Sequence, residues 1–404
     1  MVTSVFPRWK NDATPPFVYA LAVRLVAEGC KVMVLAPHAV GSARQEMMGG
    51  VEVHRFRYFL PERYQKLCYE GGMLINFRRR PWTKLLLPFF FVAQRRAIDR
   101  IVGEWRPTIL HSHSLLPQGL TVAAAARRFR LPHVTTSHGN DVFGLRPDGL
   151  MGRWKRSVLR QVEAVTVNSE ATRKAVLELG ADPARVHRIP AMPNSPEIKA
   201  ELRGRLDTLW NTAGPRLLFV GRHIREKGIE ILLEAVARLV PEYPTLRLCL
   251  VGEGPERASF ENLSSRLELE SVCRFVGGVP GEDISTWMNS AEILVVPSQR
   301  GAGGWVEAQG LVVVEAMAVG TPVVASRLGG IVDMISDGQT GYLCEPGDRA
   351  ALAKRLKEAL LDPGRKAVCE AARHRYLTDF SAEAVSAKTR ACYNSVRGSP
   401  ENSL

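Results

Sequence analysis

Residues 307–326 read EAQGLVVVEAMAVGTPVVAS. Val312 to Ala318 is apolar at every position but Glu315, with Gly310 before it and Gly320 after it, which predicts a short buried helix with glycines at its ends. Thr321-Pro322 cannot continue that helix, and the β-branched run over 322–325 predicts a buried strand. Helix, tight turn and strand in such a short span are one link of a βαβ chain and hence of a parallel sheet.

The same alternation continues outward. Strands are expected at 216–220, 246–251, 273–276 and 293–297, with helices at 229–240 and 258–268 between them. Upstream, IPAMPNSPEI at 189–198 opens a proline-rich stretch of weak pattern up to Pro215, as a linker would. Before it come a helix at 17–29, strands at 31–37, 108–111, 133–137 and 164–168, and helices at 92–105 and 121–130. The reading is an α/β protein of two doubly wound Rossmann-like domains facing a central cleft: 1–190, completed by a last amphipathic helix at 380–398 that crosses back to it, and 191–379. In such sheets ligands bind beyond the carboxyl ends of the strands.

Length and composition agree. At 404 residues, two domains are the natural number, and 46% hydrophobic with 24% charged residues excludes a disordered or collagen-like chain. The longest apolar run, 85–93, is about half of the roughly 18 residues a spanning helix needs, and MVTSVFPRWK has no apolar signal-peptide core, so a cytoplasmic protein is expected. Seven scattered cysteines without a CxxC pair argue against a disulfide framework or structural zinc and read as small buried hydrophobes. Residues 1–190 hold 29 Lys+Arg against 14 Asp+Glu, a net of +15, while the remainder holds 25 against 27. A basic half attracts nucleic acid, anionic lipid or an anionic substrate.

Three constellations carry chemistry. Gly221 follows the expected strand end at Val220, and Arg222 and Lys227 stand in the loop before a helix, where two cations suit a diphosphate. Two solvated surface charges are the plain alternative. Glu307 and Glu315 bracket a helix start whose N–H groups at Gly310, Leu311 and Val312 make an anion site. Glu315, about one turn inside, suits a ribose diol, and Glu307 suits sugar hydroxyls. The third is Thr136-Ser137-His138-Gly139-Asn140-Asp141 at a strand's carboxyl end, where His138 is placed to bond a substrate hydroxyl. His111 and His113 share a strand face, but no third metal ligand is placed beside them, so no metal is expected. Finally, Arg78, Arg79, Arg80 and Trp82 precede the apolar run 85–93, with Arg95 and Arg96 after it. Cations flanking apolar and aromatic residues suit a segment lying on an anionic membrane surface, although Pro88 is expected to break or kink a helix there.

Taken together these residues resemble the retaining glycosyltransferases of the GT-B fold, family 4, also called glycosyl transferases group 1. The resemblance rests on the E-x7-E pair Glu307 and Glu315, EAMAVGTPVVAS from Glu315, Gly329-Gly330, DGQTGYL from Asp337, VGR with Lys227-Gly228, VGEGP from Val251, HSHSLLPQG from His111, and SHGND. It implies sugar transfer from a UDP- or GDP-sugar, often without metal or other cofactor, to a glycan, lipid-linked or small-molecule acceptor in envelope polysaccharide or glycolipid synthesis. By the same resemblance Arg222 and Lys227 hold the diphosphate, Glu307 the donor sugar and Glu315 the ribose. Gly252 belongs to a glycine loop, and the base lies near Gly277 and Val279. His138 stands near the anomeric carbon, with His113, Gly139, Asn140 and Asp141 on the acceptor side. Two departures stand out: the loop after the first strand, PRWKNDATPPF, lacks the family's glycines, and Gln309 stands where an aromatic is common. The competing readings are a basic nucleic-acid-binding α/β protein, for which no helix-turn-helix, RRM or zinc pattern is present, and a GT-B epimerase or silent nucleotide-sugar binder.

Overall fold

The computed structural model describes residues 1–9, 12, 14, 16–144, 148–194, 196–301 and 305–397. Lys10, Asn11, Ala13 and Pro15 of the glycine-free loop, and Gly398 at the end of the expected last helix, lie outside the described residues. The chain divides into two compact units, Met1–Met192 with Ala382–Leu404, and Pro193–Ser381.

The first unit is built on an eight-stranded sheet: Val2–Thr3 (β1), Met33–Pro37 (β2), Gln45–Met48 (β3), Val51–Phe56 (β4), Leu110–His113 (β5), His133–Ser137 (β6), Ala164–Val167 (β7) and Val186–Arg188 (β8), in the order β3-β4-β2-β1-β5-β6-β7-β8. All pairs are parallel except β3 with β4. That hairpin turns at Gly49-Gly50, both at positive φ (57° and 79°), as a two-residue turn matching strand twist requires. The order reverses between β1 and β5, the switch point where such sheets bind ligands. The last helix, Ala382–Arg397, packs on Phe17–Ala27. Ser386 Oγ donates to Glu28 at 2.6 Å and Arg24 pairs with Glu383 at 2.9 Å.

The second unit has six parallel strands: Arg216–Val220 (β9), Arg247–Val251 (β10), Cys273–Gly277 (β11), Ile293–Val296 (β12), Val323–Ser326 (β13) and Tyr342–Cys344 (β14). Their order is β11-β10-β9-β12-β13-β14, the 3-2-1-4-5-6 order of dinucleotide-binding folds, with its switch between β9 and β12. Both faces are buried, which is why these strands read as unbroken apolar runs. Alternate residues face opposite layers: Leu218, Leu294 and Val296 join one core with Val313 and Met317, and Leu217, Phe219 and Val295 the other with Ile229 and Leu232.

Four expectations shift. The strand expected at 108–111 is Leu110–His113, which puts His113 inside the sheet. The chain at 199–211 is not all linker, since Ala200–Trp210 is a helix packed by Leu206 and Trp210. The β3–β4 hairpin makes the first sheet mixed rather than purely parallel. Pro88 neither breaks nor kinks a helix: it stands in the first turn of Leu87–Trp105, where its missing N–H is no loss. None of the seven cysteines is paired; Cys68, Cys249, Cys344 and Cys392 are buried and the others half-buried.

Candidate active site

In the second unit the loops leaving β9 and β12 meet at the switch point. Gly221 N donates to Val251 O, tying the β9 exit to β10, and Gly252 N donates to Gly277 O, tying β10 to β11. The glycines therefore let three strand exits lie side by side, with Val279 half-buried just beyond. Gly228 at φ 70° brings the next helix against β12, since a Cβ there would stand 1.9 Å from Pro297 O. Arg222 is exposed and its guanidinium has no partner among the described residues. Lys227 behaves differently: its Nζ ion-pairs with Glu307, with side-chain exposures of only 18% and 10%. Ser298 Oγ donates to the same carboxylate oxygen at 3.3 Å. The two form one largely buried pair that joins the first two constellations.

Glu307 is held by its backbone. Gly330 N donates to Glu307 O at 2.8 Å, and a Cβ on Gly329 would lie 2.1 Å from that oxygen. The helix starts where expected, Leu311–Val319 with Gly310 at its N-cap at φ 78°. Val313 N already donates to Gly310 O, while the N–H groups of Gly310, Leu311 and Val312 have no acceptor among the described residues. Glu315 is buried at 5% exposure. Its Oε1 accepts from Asn194 Nδ2 at 2.7 Å and from Asn194 N at 3.3 Å. Burial raises the Glu315 carboxyl above its ordinary value, and the two Asn194 donors oppose that rise.

In the first unit His138 follows β6 and lies against Phe17, ring centroids 4.7 Å apart. Its Nε2 pairs with Nδ1 of His113 at 3.2 Å, the rings stacked at 5.4 Å. His111 continues the column, 4.3 Å from His113, and pairs with Tyr393 of the last helix and Thr136, each at 2.6 Å. Burial pushes His138 down to about 4, opposed by Asp141, so its imidazole is neutral at pH 7 and acts through hydrogen bonds. Two of the residues expected on the acceptor side are buried. His113 is buried at 4% beneath His138, and so supports that ring from below. Asp141 is also buried; its oxygens accept from Leu115 N and Ser137 Oγ, both at 2.8 Å, fastening two loops. Asn140 stays exposed and Gly139 turns the chain at φ 97°.

Residues 16–191 match the family described as Glycosyltransferase Family 4, and residues 205–375 match Glycosyl transferases group 1. The glycogen synthase of Mycobacterium tuberculosis is 30% identical over 303 residues, covering 72% of this chain and 69% of that protein. The chain belongs to glycosyltransferase family 4. A GDP-mannose-dependent alpha-(1-6)-phosphatidylinositol monomannoside mannosyltransferase of Mycolicibacterium smegmatis is 28% identical over 346 residues, 81% of this chain and 87% of that one. Among solved structures, sucrose-phosphate synthase from Thermosynechococcus elongatus superposes with a TM-score of 0.77 at 23% identity, over 97% and 98% of the two chains. A glycosyltransferase from Rickettsia africae gives 0.74 at 19%, over 98% of each. The fold is GT-B.

This glycosyltransferase uses residues that sequence reasoning passed over. Asn194 lies in the proline-rich stretch read only as a spacer, yet it supplies both donors to Glu315; nothing local marks it. Ser298 follows β12 at the carboxyl end, a position that the topology makes relevant and the sequence alone does not. Lys155 is fully buried, with burial lowering its pKa and the Asp141 charge opposing the fall. Arg78 and Arg79 are exposed on the short helix Met73–Arg79, Arg80 pairs with Glu70 at 2.9 Å, and Trp82 is 41% exposed. Among the described residues no helix is long and apolar enough to cross a membrane, and no three His, Cys, Asp or Glu stand together as a metal site.

The raised Glu315 carboxyl carries a signed prediction. A carboxyl whose folded value lies above its unfolded value contributes stability at low pH that is lost as pH rises past the unfolded value. Glu315→Gln keeps an acceptor for Asn194 and removes the buried charge. It is therefore expected to raise Tm relative to wild type at pH 7.5, with the gain shrinking towards pH 4, while weakening nucleotide affinity. A gain in Tm independent of pH counts against a buried charge at this position.

Proposed function

We propose that this glycosyltransferase moves a sugar from a nucleotide-sugar donor, a UDP- or GDP-sugar, to a hydroxyl of a glycan, lipid-linked or small-molecule acceptor, with retention of anomeric configuration and without a metal. The observation that carries the reading is the Lys227–Glu307 pair at the β9–β12 switch, beside the helix N-terminus at Gly310 and one turn from Glu315. Negative charge builds on the diphosphate as the glycosidic bond breaks. Lys227 and the N–H groups of Gly310, Leu311 and Val312 are fixed before that happens, which is where electrostatic catalysis gains most, and exposed Arg222 stands beside them to close on the diphosphate. These protein charges do the work that a metal does elsewhere.

In this scheme Glu307 is set against donor-sugar hydroxyls, its charge oriented by Lys227. Glu315 accepts from the ribose diol beside Asn194. The base lies by Gly252, Gly277 and Val279. The first unit binds the acceptor, with neutral His138 bonding a hydroxyl near the anomeric carbon and Asn140 at the edge. Retention follows if the acceptor attacks on the leaving-group face with the departing phosphate taking its proton. The relatives named above use GDP-mannose or build glycogen, which supports a hexosyl donor. For Arg78, Arg79, Arg80 and Trp82 the proposed partner is an anionic membrane surface at the inner face of the plasma membrane.

A thermal-shift panel of UDP-, GDP- and ADP-sugars tests the donor. One of them, at 100 times its dissociation constant, is expected to stabilise the protein by ~2.7 kcal/mol. NMR of the product then reads the anomeric configuration. Stabilisation by no nucleotide sugar, or an inverted product, overturns the corresponding part of the proposal; donor binding without transfer to any acceptor leaves the silent-binder reading.

A further inference from the structure

A second cavity lies in the first unit, of about 960 Å³. Arg44, Arg55, Arg57, Arg96 and Arg100 line it, and no carboxylate does. Arg44, Arg96 and Arg100 have no side-chain partner among the described residues, while Arg57 pairs with Glu62 at 3.0 Å. Arg55 is 3% exposed; it is paired with Glu46, yet its Nε has no partner. Arg96 and Arg100 are one turn apart on Leu87–Trp105, a spacing at which like charges repel. The fold therefore holds three unpaired cations, Arg44, Arg96 and Arg100, beside two that Glu46 and Glu62 already pair.

The remaining wall is apolar. Phe59 and Phe89 meet edge to face at 5.3 Å, and Phe89 and Val92 are 54% and 50% exposed. Phe89, Val92, Arg96 and Arg100 follow one another along one face of the helix, so the groove is apolar at one end and basic at the other. It opens from the end of β4. Four strand steps along the sheet order separate β4 from β6, which carries His138, roughly 19 Å at ~4.8 Å per step. The cavity is distinct from the His138 site.

We propose that this cavity is a binding site for an amphiphile that bears a phosphate group and an apolar tail. Guanidinium forks match phosphate oxygens two at a time, and a doubly charged group offsets more of the three unpaired arginines than a carboxylate can. The tail lies against Phe59, Phe89 and Val92. The ligand is either a lipid headgroup with its first methylenes or a soluble amphipathic phosphate, and both present the same chemistry.

Isothermal titration of the full chain with short-chain dihexanoyl phosphatidic acid is the test, with inorganic phosphate and dihexanoyl phosphatidylcholine as controls. Phosphatidic acid is expected to bind tightest. Arg96→Ala with Arg100→Ala should weaken it by roughly tenfold per arginine, and Phe89→Ser by several-fold, with unchanged Tm because all three side chains are exposed. Arg78→Ser with Arg79→Ser, outside the cavity, should leave it unchanged. Co-sedimentation with phosphatidylcholine vesicles with and without phosphatidic acid then separates the sources. Retention lost in the Arg96/Arg100 variant assigns a membrane lipid; no retention alongside monomer binding assigns a soluble amphiphile. Wild-type affinity in the Arg96/Arg100 variant, or inorganic phosphate binding as tightly as the amphiphile, overturns the proposal. Donor binding enters none of these readouts, so its failure leaves the cavity untouched.

Discussion

Lys227→Ala is expected to lower turnover by two orders of magnitude or more and, unlike Arg222→Ala, to destabilise the protein as well. Arg222 is exposed and unpartnered, so its loss removes only a contact to the leaving diphosphate, roughly 1.5–3 kcal/mol or about ten- to a hundredfold in rate. Lys227 additionally neutralises Glu307, whose side chain is only 10% exposed. Removing one member of a buried pair leaves the other charged and uncompensated, at a cost of up to ~3–5 kcal/mol. The double variant Lys227→Ala/Glu307→Gln removes that penalty. It should recover most of the lost Tm and none of the lost kcat. Thermal denaturation and initial rates on the four proteins separate the two roles. A Lys227→Ala protein with wild-type Tm and near wild-type kcat removes both.

Acid is expected to unfold the first unit well before the second. Burial holds His133 at about 3 and His138 at about 4, and drives His111 and His113 well below the ordinary histidine value. In the unfolded chain all four take up protons near the ordinary value of about 6.5. Below that pH the unfolded state binds more protons than the folded one, so stability falls as pH drops from about 6.5 towards 4. Each imidazole contributes about 1.4 kcal/mol per pH unit in that window, or roughly 5 kcal/mol per unit for four. The second unit has a single counterpart among the described residues, His223, also buried and shifted down in the same direction. Calorimetry between pH 7.5 and 5 should show the transition of the first unit moving to lower temperature faster than that of the second. Proton uptake on its unfolding should reach four or more, since burial also lowers His38 and the Met1 amino group, and His133→Gln should reduce it by one. Equal pH dependence of the two transitions contradicts the buried neutral column.

Much of the candidate site in the second unit is legible in the sequence, because its signals are local. Gly310 before an apolar run, Glu315 one turn inside, and two cations after a strand-ending glycine are all features of contiguous residues. A helix start exposes its N–H groups whatever else the chain does. The hairpin of β3 and β4 is equally local: QEMM and VEVHRF flank Gly49-Gly50, a two-residue turn signal weaker than the helix–strand alternation around it. The first strand depends on its neighbours instead. Only Val2–Thr3 form β1, yet it lies between β2 and β5 in the middle of the sheet, where neighbours on both sides supply the pairing that a strand so short lacks by itself.

By itself, then, the sequence determined the alternation of helices and strands, the glycine-marked strand exits and the helix that presents Glu315, since each depends on periodicity or backbone freedom over a few consecutive residues. Only the tertiary structure decided which of these charges meet. Lys227 and Glu307 are 80 positions apart and pair because β9 and β12, not sequential strands, are neighbours at the switch point. Asn194 reaches Glu315 across 121 positions, and His111 reaches Tyr393 across 282, for the same kind of reason. The arginine-lined cavity arises where β4 and the helix Leu87–Trp105 pack together. Contacts at such separations are set by the order in which strands enter the sheet, and strand order is fixed by the burial of whole layers, a property that no short stretch of sequence carries.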